Sequence, residues 1–538
     1  MKNFLAKNKQ VILCTIAFVC LCIIDQRKGS AGGEAQLIST NCVGLCVALL
    51  VFSKYRCKDF LKIEYIVWTV LFGFVFTGVT MNVIETLQYR FQWYTAGANI
   101  YVWGLLTIRT VRSIAERKQF FAASRGVTVL MGITLFWMGL SLNDSLWPWW
   151  YLWMFCIVCL TDFSVEERSA VWKGMQTGLI ISFFLIQGCA FVFRPYDVSR
   201  YLGMYANTNM NALFYSVVYC VLLGTFCRLL FFDDGKWKKV RVAFNIALCG
   251  AMWSFVCLTM CRTALISMAA ATMVAGVYCL KQFENRFILK GLATLAGLAL
   301  CIVVSFPIVY GAVRYLPTVF HHPIWFVGEY HVDKVHSYDP YNSEKYISLE
   351  EFFAEFLGRI EMLNASGEAD RQTFLYEDME PIQLAFAGNN YIPYVVMQPV
   401  ALVSDPNNSV EIRSYIYKEY LGALNLLGHQ EGENGVWVTE DYWAPHAHNL
   451  FLQLAFNFGW PAGVLFVALM LYAFGNMFKR TFETKQEQSY YALVPLLSLI
   501  NILVFSMFEI TWVNGQLTFV LLFLLPALLQ SGKTENVS

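Results

Sequence analysis

With 538 residues, 57% of them hydrophobic and only 14% charged, the chain excludes an ordinary soluble globule, and its formal net charge of +1 gives no global basic character for nucleic acid. None of its sixteen cysteines lies between residues 311 and 445; most fall inside apolar runs, where buried free thiols acting as small hydrophobes are the simplest reading. A Lys-rich start leads into an apolar run that meets Asp25-Gln26-Arg27-Lys28 and no small-residue cleavage site, so it reads as a first short span and not as a signal peptide.

Taken in order, candidate membrane spans fall at 11–24, 37–52, 63–83, 97–108, 127–142, 147–160, 174–193, 212–231, 242–260, 264–280, 291–310, 462–478, 490–508 and 515–529. Assigning alternate loops to the cytoplasm collects 25 of the 39 Lys and Arg, whereas the opposite short loops carry only Arg27, Lys28, Arg90, Arg194, Arg200 and Arg262. The positive-inside rule then puts both termini in the cytoplasm and residues 311–445 outside. The expected fold is an all-α polytopic membrane protein of about 12–14 transmembrane helices with one large extracytoplasmic loop domain. It divides into N-terminal helices (1–193), core helices with short external Asn/Arg loops (194–310), the loop domain (311–461) and C-terminal helices with a cytoplasmic tail (462–538).

The external segment is a different material. All seven histidines lie between His321 and His448, and residues 311–445 hold twenty of the 38 acidic residues against seven Lys and Arg. Residues 348–364 have a Ser N-cap, Glu350 and Glu351 in the first turn and apolar residues at helical spacing; residues 409–427 read the same way. Both predict amphipathic helices on the outer membrane face. Residues 365–408 carry turn formers and take no assignment.

The most informative stretch is Pro445-His446-Ala447-His448-Asn449-Leu450-Phe451-Leu452-Gln453, continuing to Phe458-Gly459-Trp460-Pro461-Ala462-Gly463. A helix from 446 to 478 would be about 50 Å long at 1.5 Å per residue, too long for one crossing, and Gly459 and Pro461 interrupt it. The expectation is a helix over 446–458 lying at the membrane face and a span over 462–478. The polar cluster then sits at a helix start, where free N–H groups and the dipole favour an anion.

The His448-Asn449…Gln453…Gly459…Gly463 pattern resembles the signature of the O-antigen ligase and O-antigen polymerase (Wzy-like) family, with Trp460-Pro461-Ala462 a departure in spacing. Asn207-Thr208-Asn209 is similar to the family's Asn-Pro-Asn, and Cys261-Arg262-Thr263-Ala264 to its Ser-Arg-x-x. Arg413 followed by Leu427-Gly428-His429 is similar to its Arg…Gly-x-Gly run, with His429-Gln430-Glu431-Gly432 departing from it. The resemblance covers about residues 200–530. It implies a glycosyltransferase of the bacterial cytoplasmic membrane that moves a glycan from undecaprenyl pyrophosphate to an acceptor glycan. Membrane lipid surrounds it, a flippase and a chain-length regulator are compatible partners, and neither cofactor nor nucleic acid is called for.

The chemistry asks for the same residue types. A sugar 1-pyrophosphate already has a good leaving group, so what remains is to stabilise the charge developing on it and to deprotonate the incoming hydroxyl. Forked, permanently charged Arg suits the first task and His the second. Carried over from the resemblance, His448 is the general base and Arg262 and Arg413 bind pyrophosphate, while Asn449 and Gln453 orient the His or the acceptor. Arg194 and Arg200 either bind phosphate or anchor at the interface, and Asn207 and Asn209 are turn residues or part of the site. Arg413 has a rival reading as a surface ion pair with Glu411. His446 either assists His448 in binding substrate or is spacing, with spacing preferred. Glu509, at the outer end of its span, is a functional candidate that could equally face water. His321, His322, His331 and His336 match no closed zinc site and read as a solvated loop. Polymerisation of surface polysaccharide repeats is preferred to ligation, with a flippase or other transporter as the rival from another class.

Overall fold

The computed structural model describes residues 2–25, 34–83, 87–193, 200–205, 207–282, 287–320, 348–361, 409–433, 435–439, 442–483, 488–509 and 516–529. Among these the chain is almost entirely helical. The N-terminal helices are α1 (Lys2–Asp25), α2 (Glu34–Phe52), α3 (Ile63–Val83), α4 (Leu87–Arg117), α5 (Arg125–Leu140), α6 (Trp147–Leu160) and α7 (Val165–Phe193). The central ones are α8 (Thr208–Phe232), α9 (Lys238–Thr259), α10 (Arg262–Gln282) and α11 (Phe287–Phe320). Two shorter helices, α12 (Leu349–Glu361) and α13 (Ser409–Gly422), precede a two-residue hairpin, β1 (Val436–Trp437) with β2 (Trp443–Ala444). The chain then forms α14 (Leu450–Phe458), α15 (Trp460–Glu483), α16 (Gln488–Ser506) and α17 (Leu517–Ala527).

Eight of the described helices (α1, α3, α7, α8, α9, α10, α11 and α15) are long and apolar enough to cross a membrane. Shorter apolar helices lie in α2, α5, α6, α16 and α17. The chain is therefore an all-α polytopic membrane protein. The expected span at 97–108 falls inside α4, a 31-residue helix that belongs to neither group: Arg90 and Gln92 at one end and Arg109, Arg112 and Arg117 at the other leave a short centre that itself carries Asn99. The span expected at 291–310 runs on as α11 to Phe320, through Pro307 and Pro317 and past the expected boundary of the loop domain.

The core forms around α8, which packs on α9, α10 and α16, while α15 joins α16 to α5 and α17 closes on α6. Several buried polar groups of this core meet partners on neighbouring helices, where hydrocarbon surroundings make such bonds valuable. Asn501 of α16 donates to Ser216 Oγ of α8 at 2.8 Å, and Tyr215 Oη donates to Gln187 Oε1 of α7 at 2.6 Å. The amphipathic helix expected from 348 forms as α12, opened by a reciprocal cap between Ser348 and Glu351 and seated through Phe352 on Phe306 of α11.

The break expected at Gly459 is real, and its cause is a crossing of backbones. Gly428 (φ +79°) and Gly459 (φ +88°) take conformations that side chains resist, and a Cβ on either would collide with the opposing strand, at Asn457 O and Leu426 O respectively. The crossing is laced by Trp460 N donating to Asn425 O (3.0 Å) and His429 N donating to Asn457 O (3.1 Å). His429 lies flat on Phe456, its Nδ1 2.8 Å from Phe456 O.

Candidate active site

Four separated stretches meet at the end of the bundle where α8, α10 and α14 begin and α16 ends. Glu509, just past α16, is the hub. Its Oε1 accepts from Arg413 Nη2 at 3.1 Å and from Asn209 Nδ2 at 2.9 Å, and its Oε2 stands 3.6 Å from His448 Nδ1. The Glu509 side chain is only 12% exposed, which strengthens each of these interactions relative to water. Of the two readings open for Arg413, the structure gives a pair with Glu509, 96 residues away, and the side chain of Glu411 lies outside the described residues.

The histidines do not stand in a helical first turn, as the expected helix over 446–458 required. The helix begins at Leu450, and Asn449 is its N-cap, accepting from Leu452 N at 3.0 Å. An Asn side chain competes with backbone groups for their partners and so favours a cap over a helix interior. His446 and His448 therefore sit in the loop that enters the helix. His448 holds φ +47°, left-handed for a non-glycine residue, and only two other described residues share that feature. One of them is Met260 (φ +51°), in the turn that leads to Arg262. Strained non-glycine backbone of this kind persists where surrounding bonds over-determine it. Here Asn449 Nδ2 donates to Met507 O (3.0 Å), Gln453 Oε1 accepts from Ala447 N (2.7 Å), and Tyr417 Oη lies within reach of both His448 O and Met507 O.

Gln453 is 1% exposed and also donates to Asn457 Oδ1 at 2.8 Å. It shapes the loop from behind. The two histidine rings pack edge to face at 4.1 Å. Burial pushes His446 down to about 4, with His448 adding to the effect, so His446 is a neutral neighbour at physiological pH. His448 is half-buried, with its Nδ1 on the side of Glu509, 3.6 Å from Oε2.

Asn207 caps α8 through its side chain, accepting from Asn209 N at 2.7 Å. Asn209, one residue into that helix, bridges Glu509 to Arg200, whose Nη2 donates to Asn209 Oδ1 (2.8 Å) and whose Nε donates to Thr259 O (2.9 Å). Arg262 opens α10 directly after Cys261. The Cys261 thiol is pushed up to about 11 by burial, with Glu509 raising it further and Arg200 opposing, which puts this helix start within electrostatic range of the hub. Arg194 and the cluster His321, His322, His331 and His336 lie outside the described residues. Among the described residues no group of three or more His, Cys, Asp or Glu side chains is arranged to hold a metal ion.

Sequence reasoning passed over Tyr417, although its spacing from Arg413 puts both on one face of α13. It also passed over Asp25, whose carboxylate accepts from Tyr205 Oη at 3.1 Å and from Leu517 N at 3.3 Å. Asp25 thereby ties the end of α1 to the 200–205 loop that carries Arg200. Its signal, a carboxylate ending an apolar run, was legible.

The arrangement supplies a half-buried imidazole beside a carboxylate, flanked by guanidinium groups and by the starts of three helices. It can accept a proton beside a bound anion. No protein-family model, curated protein or solved structure matches the chain.

Proposed function

We propose that the chain transfers a glycan from a polyprenyl pyrophosphate to an acceptor sugar hydroxyl at the membrane surface, with polymerisation of polysaccharide repeat units preferred to ligation onto another acceptor. The observation that carries this reading is the sharing of one carboxylate, Glu509, among His448, Arg413 and Asn209. An excess of cationic and donor groups around one buried carboxylate leaves capacity for a bound anion. The loop-charge bias, which puts Lys and Arg on the opposite ends of the spans, supports an extracytoplasmic site in the bacterial cytoplasmic membrane with both termini inside.

In this mechanism Arg413, Arg200 and Arg262 hold the pyrophosphate, and the α14 start at Asn449 adds backbone donors. The acceptor hydroxyl approaches His448 Nε2. As its oxygen bonds to the anomeric carbon, the bond from that carbon to the pyrophosphate oxygen breaks. The hydroxyl proton passes to His448, and the imidazolium so formed is stabilised by Glu509. Direct displacement inverts the anomeric centre. Neutral His446 keeps a second positive charge away from the imidazolium.

Reconstitution in liposomes with an undecaprenyl-pyrophosphate oligosaccharide tests the reading. Wild type releases the carrier pyrophosphate and lengthens or transfers the glycan, while His448→Ala at equal expression lowers the rate by about 10²–10⁴-fold. Arg413→Ala and Arg262→Ala weaken donor use. Product form separates polymer from conjugate. Movement of intact lipid across the bilayer, or a His448→Ala protein as active as wild type, overturns transfer in favour of transport.

A further inference from the structure

A second polar cluster lies at the far end of the bundle. Lys9 Nζ of α1 donates to Tyr55 O at 3.0 Å, and Lys9 precedes Asp25 by about 24 Å of helix at 1.5 Å per residue. Around Tyr55 stand Tyr65 at the start of α3 and Arg109 near the end of α4, with the Arg109 guanidinium 4.9 Å from the Tyr55 ring centre. Tyr55 is 5% exposed and Tyr65 1%. Among the described residues the Tyr65 hydroxyl and Arg109 Nε and Nη1, all shielded from solvent, have no hydrogen-bond partner, while the Tyr55 hydroxyl stands beside the side chain of Thr161.

The nearby carboxylates do not supply what is missing. Arg112 engages both, Glu64 through Nη1 and Glu116 through Nε at 3.0 Å. Arg109 reaches only the far oxygen of Glu116, at 3.7 Å. Lys62, Arg109 and Arg112 thus face Glu64 and Glu116, and Glu167, which also acts on Tyr55, is matched by Lys54 at 3.0 Å, so one positive charge stays in excess. Buried donors without partners are costly, and a guanidinium at the edge of an apolar helix is more so. Three such donors, on Tyr65 and Arg109, with the Tyr55 phenol beside the guanidinium, come from three segments and suit a compact polyvalent acceptor. A phosphate has the oxygens to use forked Arg donors and two phenols together. Burial pushes the Tyr55 phenol up to about 12, so it remains a donor at neutral pH.

We propose that Arg109, Tyr65 and Tyr55 form a phosphate-binding site at the end of α4, opposite the His448 cluster and independent of its chemistry. Its ligand is a phosphate group, borne by a membrane phospholipid or free in solution. The test uses the full-length protein in a neutral detergent, titrated separately with phosphatidic acid, phosphatidylcholine and inorganic phosphate and read by native mass spectrometry and thermal shift. Wild type binds phosphatidic acid or inorganic phosphate, or both, and the pattern tells lipid from free anion. Tyr65→Phe, which keeps the ring and removes one donor, weakens that binding about tenfold or more, as expected for one hydrogen bond to a charged group. Arg109→Lys weakens it further, because the fork is lost. Lys118→Ala, an exposed cation beyond the cluster, leaves it within twofold. Binding unchanged in both Tyr65→Phe and Arg109→Lys, or absent in wild type with all three probes, overturns the site. If Arg109→Lys does not fold, Tyr65→Phe decides alone.

Discussion

Helices α8 and α3 are both apolar and long enough to span a bilayer, yet 78% of the α8 window lies buried inside the protein and 6% of the α3 window does. Lipid tails are as apolar as leucine, so hydrophobicity cannot rank helices by their distance from the core. Polar residues can. Along α8, Tyr215 and Ser216 each meet a partner on another helix and Asn209 meets Glu509 just past α16, and those contacts orient the start of the helix toward Glu509. Along α3 the largest exposed side chains, Phe74 and Met81, have only lipid to face. The candidate site is mounted on the helix with an internal polar stripe, where surrounding contacts fix geometry most tightly.

If that is correct, the effect of a substitution tracks the side of this divide on which it falls. The largest effect is expected at Glu509. Glu509→Gln keeps the size and one acceptor but removes the charge that stabilises the His448 imidazolium. Carrier release in the liposome assay falls about 10²–10⁴-fold, with little change in thermal stability. A fall in stability with normal turnover would make Glu509 a structural clamp and remove the functional half of the comparison.

Next comes His446, whose effect depends on pH. Its folded value of about 4 lies below the ordinary value of 6.5, so between these limits the unfolded chain binds a proton that the folded chain refuses. Stability is present in full above pH 6.5 and declines as pH falls toward 4, by at most about 3 kcal/mol for this group. His446→Asn flattens that part of the pH profile in a thermal melt. An unchanged slope would assign the loss to other groups. Gly459→Ala, at φ +88° and facing Leu426 O, costs about 1–3 kcal/mol of strain and lowers the melting temperature at every pH.

The fold class was legible because apolar runs of spanning length leave few alternatives, and the Gly459 break was legible because glycine and proline punctuate helices. The rank of the helices was not, since α3 and α8 read alike. Residue types pointed to His448, Arg413 and Asn209, but nothing along the chain says that residues 209, 413, 448 and 509 share one point. Glu509 could be named and not partnered: Glu411 is the neighbour of Arg413 along the chain, and only the packing of α13 near the end of α16 brings Arg413 to Glu509. The helix start at 446 was misplaced because His448 takes a left-handed backbone that its residue type does not announce, and the cap fell to Asn449.

The smallest effects separate the two helices most cleanly. Asn501→Leu removes the bond to Ser216 deep between α16 and α8, where hydrogen bonds between membrane helices contribute roughly 0.6 kcal/mol on average and up to about 1.7. Phe74→Leu on α3 trades one apolar group for another on a face that is 82% exposed, and its expected change is within about 0.5 kcal/mol. Measured by thermal melts in one detergent, Asn501→Leu is the more destabilising of the pair, and it also slows turnover because α8 and α16 carry Asn209 and Glu509. Were Phe74→Leu to cost more than Asn501→Leu, the exposed face of α3 would be in contact with protein and not lipid. The interior of this molecule would then have to be redrawn to include it.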